Sequence, residues 1–260
     1  MKFDFSVPMT FYEFLAIILA VVAIVIPVGQ AIWKKWIVKG KLVFLPTGRV
    51  ALFFNQSGSY IRIDGVYEAR NKAISVKNIS AKVIRQKDDR ALNLSWSSFI
   101  SPVNQNMVGA FIQTTETAHP FRIEMDSIAS AFTEFGDSTD SFGKKFRTST
   151  SSLFKHISEI RKTYSSYDLA VAQYKNLHEY RIARTLLEKE FFWEIGKYSI
   201  EITAKYGKTS ANFKFEFSVG AYEHNSLVEN IDEALCSPLK SAYNIGYDYH
   251  TAFIEMQNKQ

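Results

Sequence analysis

The side chains able to carry chemistry in this chain are few and scattered. Five histidines occur, His119, His156, His178, His224 and His250. A zinc site needs three or four N, S or O ligands at short local spacing, yet no two of these histidines stand at i and i+4. His178-Glu179 starts like a zincin helix, but the position of the second histidine is Ile182. His119 precedes Pro120 and reads as structural at the start of a strand. Neither glycine-rich phosphate loop is present, and Ser57-Gly58 lacks the preceding glycine of a nucleophile elbow. The acidic pairs Asp88-Asp89, Glu124-Asp126 and Asp137-Asp140 fall at turns or strand ends, where carboxylates are solvated rather than tuned for acid–base work. The single cysteine, Cys236, has no partner for an intramolecular disulfide and fits a reducing compartment. These residues predict no catalytic group, no cofactor and no metal, with an uncatalogued enzyme kept as the lesser alternative.

The strongest feature is structural. Phe14 to Trp33 is a run of twenty residues without a charge, and a helix of that length rises about 30 Å, the thickness of a bilayer's hydrocarbon core. Phe11 and Tyr12 stand at one boundary and Trp33 and Trp36 at the other, where aromatic rings favour the headgroup level. Lys34, Lys35, Lys39 and Lys41 follow, whereas Lys2, Asp4 and Glu13 precede. The positive-inside rule then predicts the amino terminus outside and the large carboxyl-terminal part in the cytoplasm. A cleaved signal peptide fits less well, because the start is net acidic and the apolar run is long. Pro27 removes a backbone donor within the span, so it kinks the helix or, with Gly29, ends its regular part early.

The net charge of +5 owes much to that juxtamembrane cluster, which would be drawn to anionic lipid headgroups. Elsewhere acids are interspersed with bases, and the basic balance gives no footprint for nucleic acid.

Past Gly40 short runs of β-branched and aromatic residues alternate with turn formers, the pattern of strands. They fall at 42–46, 49–54, 59–64, 73–78, 80–86, 91–96, 110–115 and 120–125, with 127–135 open between strand and helix. In 59–64, Tyr60, Arg62 and Asp64 share one face and Ile61 and Ile63 the other. Thr47-Gly48, Gln56-Ser57-Gly58, Asp64-Gly65 and Lys87-Asp88-Asp89 read as turns, and 136–152 as a polar loop. From there Leu153, Ile157, Ile160, Tyr164, Tyr167, Val171 and Tyr174 recur at helical steps along one stripe, with a break near Ser165-Ser166. That stripe is the candidate interaction surface, for the protein's own sheet, a second copy as a short coiled coil, or another protein. Lys144, Lys145, Arg147, Arg161, Lys162, Arg181 and Arg184 around it read as a solvated surface or as contacts to an anion.

Residues 191–207 and 210–219 read as a hairpin turning at Tyr206, Gly207 and Lys208. Ser226 and Glu229 have capping-box spacing ahead of a short helix through Cys236 that Pro238 stops, and the segment with Tyr243, Tyr247 and Tyr249 is a docked segment or a tail. Eight to ten short strands at this spacing imply an antiparallel sandwich or barrel. The segment Phe192-Trp193-Glu194-Ile195-Gly196-Lys197-Tyr198, leading into Ile200 and Ile202 and followed by Phe213 to Phe217, resembles the late hairpin of immunoglobulin-like sandwiches. The cysteine pair of antibody-type domains is missing, so the resemblance implies architecture and no functional residue.

The expected organisation is an anchor over 1–39, a mainly-β antiparallel sandwich over 40–225 with a helical insertion at 151–189, and a short helix and tail over 226–260. The expected role is a membrane-anchored recognition or scaffold module. Its partners would be lipid, a partner protein and a second copy, not nucleic acid. The alternative is an effector whose span oligomerises and perturbs the bilayer.

Overall fold

The structure is a computed structural model that describes residues 10–33, 38–107 and 110–258. Lys34, Lys35 and Trp36 lie outside the described residues.

Helix α1 spans Phe11–Ile32. Thr10 caps it: the Glu13 carboxylate accepts the Thr10 backbone N–H at 2.8 Å while the Glu13 N–H reaches the Thr10 hydroxyl at 3.4 Å. The helix passes through Pro27 and continues to Ile32 instead of ending near Gly29. Among the described residues nothing else covers its apolar side chains.

Among the described residues ten strands follow: β1 Lys41–Asn55, β2 Gly58–Arg70, β3 Ile74–Arg85, β4 Arg90–Met107, β5 Ala110–Thr117, β6 Phe121–Ile123, β7 Ser127–Gly136, β8 Gly196–Tyr206, β9 Thr209–Val219 and β10 Ala252–Asn258. Their order is β4-β7-β2-β1-β10-β9-β8-β3, and β3 pairs with β4 again, so these eight close into an antiparallel barrel. β5 and β6 add to β4 and β3 outside the ring.

The expected sandwich is therefore corrected to a barrel, and the immunoglobulin-like likeness falls with it. The 191–219 hairpin is present, with Tyr206 opposite Thr209, and the Tyr198 hydroxyl pins the preceding loop by donating to the Glu194 carbonyl at 2.7 Å. That local motif sits in the wall of a barrel. What closes the ring is β10, within the segment left open between a docked segment and a tail: Ile254 pairs with Val50 on one side and Met256 with Phe217 on the other. Alternation of apolar and polar residues is the same in both architectures, so it cannot tell them apart.

The barrel interior is filled by its own side chains. Leu52, Phe54, Ile61, Ile63, Tyr67, Ile79, Phe135, Tyr198 and Ile202 are all buried there, each large apolar group contributing about 1.5–3 kcal/mol. Gly65, expected in a turn, stands mid-strand in β2 opposite Pro46. A Cβ there would lie 2.4 Å from the Phe44 ring, so the glycine is what lets that ring lie on the sheet. Thr47-Gly48 is a bulge within β1, where the register shifts between Pro46 and Val50 and Gly48 has φ +88°.

Five further helices cover one end of the barrel: α2 Ser141–Phe154, α3 Ile157–Thr163, α4 Tyr167–Asn176, α5 His178–Glu190 and α6 Ala221–Ala242. The segment expected as a loop thus contains α2. Its start is made by Asp137, whose carboxylate accepts from the backbone N–H groups of Thr139 and Ser141, both at 2.9 Å, and from both of their hydroxyls at 2.6 Å. The break near Ser165-Ser166 is present as an extended backbone at Tyr164 and Ser166. At this end Arg85, buried, grips Asp88 with two hydrogen bonds of 2.8 and 2.6 Å and holds its carboxyl down to about 2.

α6 starts earlier than the Ser226 box predicted: the Glu223 carboxylate accepts the Gly220 N–H at 3.1 Å. It also runs through Pro238. Proline leaves the Ala234 carbonyl without its usual backbone donor. Gln56, at the β1–β2 turn, donates its amide to that carbonyl at 3.3 Å, and the Ser237 hydroxyl donates to it at 3.0 Å. The orphaned acceptor is satisfied by side chains, and the helix continues.

Candidate functional site

Buried apolar side chains fill the barrel interior among the described residues, and concave polar surface lies on its wall. Along β2, residues alternate strictly: Ile61 and Ile63 face inward, and Tyr60, Arg62 and Asp64 face out as the sequence pattern requires. β7 and β4 lie beside β2 in the ring. Together with the β1–β2 turn and the loop into α2 they enclose a cleft of about 360 Å³, lined by Asn55, Tyr60, Ser95, Trp96, Ser97, Glu134 and Asp137 among others. Ser95, Asp137 and Ser138 also line a second hollow of about 680 Å³ that extends over β3 and β8 past Ser80, Asn93, Glu201 and Thr203. The two form one polar trough across the barrel wall.

Its tuned groups sit at the first hollow. Tyr60 stacks on Phe53 at 4.7 Å between centroids with the rings 6° from parallel, and its hydroxyl accepts from the Asn55 amide at 3.2 Å. Burial, with the Glu134 charge nearby, pushes the Tyr60 phenol up to about 12, so it stays a neutral donor. Burial likewise raises the Glu134 carboxyl, against the opposing pull of Arg62. Arg62 stands opposite Glu134 in the β2–β7 register and lies 3.1 Å from Asp64, whose carboxyl is also raised by burial. Asp137 behaves differently: burial raises it, but the hydroxyl and N–H donors of Ser141, Thr139 and Phe142 outweigh that and hold it well below the usual carboxylate range.

The lining offers hydroxyls, amides and carboxylates, and neither of its two hollows includes a histidine or cysteine. Among the described residues no group of three metal-ligating side chains occurs. Such a surface can hold a polar ligand through hydrogen bonds.

The residues expected from sequence lie elsewhere. Trp33 follows the end of α1 and is exposed; Lys39 and Lys41, also exposed, flank the start of β1. The stripe is divided among three helices, α2, α3 and α4, with Tyr164 at the break between the last two. Leu153, Ile160 and Tyr174 are buried in the main core, and Ile157, Tyr164, Tyr167 and Val171 pack against it. Most of that surface is covered by the protein itself. Tyr174 donates to the Leu235 carbonyl at 3.2 Å and Tyr180 to Asp232 at 2.7 Å. Cys236 is buried beside Tyr180, its thiol pushed up by burial. The histidines are dispersed: His224 meets the Trp193 carbonyl at 2.9 Å and His250 approaches Glu229 at 3.2 Å.

The trough escaped the sequence because Asn55, Tyr60, Ser95 and Glu134 come from four strands whose neighbours only register decides. The outward alternation at Tyr60 was its single legible sign.

No protein-family profile matches the chain, and no characterised protein matches it in sequence. Among solved structures, it is similar to a family 123 glycoside hydrolase from Clostridium perfringens, described for glycolipid glycan hydrolysis, at 10% identity and a TM-score of 0.30. The alignment covers 70% of this chain and 27% of the hydrolase. A likeness at that level carries no argument about fold or activity.

Proposed function

We propose that this protein is a membrane-tethered binding module. In this reading α1 crosses the bilayer, the lysines behind it keep the barrel on the cytoplasmic side, and the trough takes a polar segment of a membrane-associated partner. The observation that carries it is α1 itself: twenty residues from Phe11 to Gln30 with a mean hydropathy of 2.6, none of them covered by the barrel or the helices. In water that apolar surface would be strongly unfavourable; lipid removes the cost. The unpaired, buried Cys236 supports the cytoplasmic side. Tethering raises the local concentration of the module near its partner, so a shallow, polar contact surface suffices.

Two measurements test the reading. Full-length protein carrying a carboxyl-terminal tag should resist alkaline carbonate extraction, with the tag shielded from protease in intact cells; a shortened, soluble product would reassign α1 to a signal sequence. A photo-crosslinking residue at Ser97 should give a discrete adduct that Glu134→Lys abolishes without changing membrane retention. An adduct indifferent to Glu134→Lys would remove the trough from the account.

A further inference from the structure

We propose that the end of the barrel nearest α1 is a docking face for anionic phospholipid headgroups, which orients the barrel on the bilayer; this rests on α1 being a membrane anchor. The topology identifies that end. β1 begins at Lys41, eight residues after Trp33, so it starts within about 28 Å of the end of the span whatever path the chain takes. Lys41 pairs with Arg70 at the end of β2, Ala69 with Ser127 at the start of β7, and Val76 near the start of β3 with Tyr206 at the end of β8. The helices pack at the opposite end, where the β1–β2 turn meets α6.

Charge is distributed unequally between the two ends. At the anchor end Lys39, Lys41, Lys77, Lys205 and Lys208 are exposed, and none is in an ion pair among the described residues. The acids there are engaged: Glu68 with Arg70 at 2.7 Å, Glu124 with Arg122 at 2.9 Å, and Asp126 accepting the Asn71 N–H at 3.2 Å. At the helical end bases and acids are interspersed: Arg85 pairs with Asp88 at 2.6 Å, Lys145 with Glu190 at 2.9 Å and Lys175 with Asp232 at 3.3 Å, and the exposed Lys144, Lys155, Lys162 and Lys189, in no ion pair among the described residues, share that end with Glu159, Asp168, Glu179 and Glu188. Met125 and Ile128, 57% and 66% exposed, lie at the same end, Ile128 opposite Glu68, and suit the apolar edge of a headgroup layer. Unmatched lysines and exposed apolar side chains at one end of the barrel, held a short tether from a bilayer, complement a negative lipid surface.

The test uses the full chain in nanodiscs of phosphatidylcholine, with or without about 30% phosphatidylglycerol. Backbone amide exchange at the β8–β9 turn, Gly207 and Lys208, should slow about fivefold in the anionic discs, and the protection should vanish in about 0.5 M salt. It should vanish equally in a Lys77→Glu, Lys205→Glu, Lys208→Glu variant whose barrel-core amides exchange as in the parent. Equal exchange in both lipids, with the protein incorporated in each, overturns the docking face and leaves the anchor standing. Failure to incorporate in either lipid overturns both. Protection induced by added RNA in the zwitterionic discs, and none by anionic lipid, would assign the face to nucleic acid instead.

Discussion

The passage of α6 through Pro238 makes a quantitative prediction about Gln56. The Ala234 residue is fully buried, and its carbonyl is served by the Gln56 amide at 3.3 Å and the Ser237 hydroxyl at 3.0 Å in place of a backbone N–H. Gln56→Ala removes one of those donors from a buried acceptor and should cost about 1–2 kcal/mol. Pro238→Ala supplies the missing N–H and relieves an interior proline, a gain bounded by about 3 kcal/mol. In that background the carbonyl no longer depends on Gln56. Gln56→Ala should then cost about 1 kcal/mol less than it does beside proline, a coupling well outside the additivity of independent sites. Denaturant unfolding of the detergent-solubilised full chain reads the cycle. Trp193 is a natural reporter, since it is buried and donates to the Phe53 carbonyl at 2.8 Å in the same turn region. If Gln56→Ala costs the same in both backgrounds to within about 0.5 kcal/mol, the compensation argued for the helix is wrong.

Asp137→Ala should lower stability by about 1–2 kcal/mol through loss of the α2 start, seen as a fall in Tm of about 2–8 °C for a domain of this size. Because the folded Asp137 carboxyl lies below its unfolded value, that contribution is complete above the unfolded value, about 3.9, and fades as pH falls toward the folded one; parent and variant should converge in acid, and a gap that stays constant would refute the charge-based cap. Gly65→Ala places a methyl 2.4 Å from Phe44 and 2.9 Å from the Leu45 carbonyl, so it should cost about 1–3 kcal/mol, whereas Gly65→Ala combined with Phe44→Leu should recover part of that loss in the same unfolding assay. Cys236, buried with its thiol raised, should react with a thiol reagent only after denaturation; prompt labelling of the native protein would contradict the placement of α6.

What the sequence by itself determined are the features that depend on neighbours close along the chain. The uncharged run that becomes α1, the inward Ile61 and Ile63 against the outward Tyr60 and Arg62, the β8–β9 hairpin and the break at Ser166 are of this kind. Each follows from hydropathy, period or turn chemistry within about ten residues. Other features were decided only by contacts distant in sequence. β10 is a short alternating segment whose identity as a strand comes from the gap between β1 and β9 that it fills. Pro238 is a helix stop in isolation and is tolerated because Gln56 arrives from the other end of the chain. Gly65 looked like a turn because its partner, Phe44, is visible only across the pairing of β1 and β2. The trough and the basic end of the barrel belong to the same class, since strand register alone brings Tyr60 to Glu134 and Lys41 to the level of Lys205. Closure of the ring turns such local patterns into surfaces.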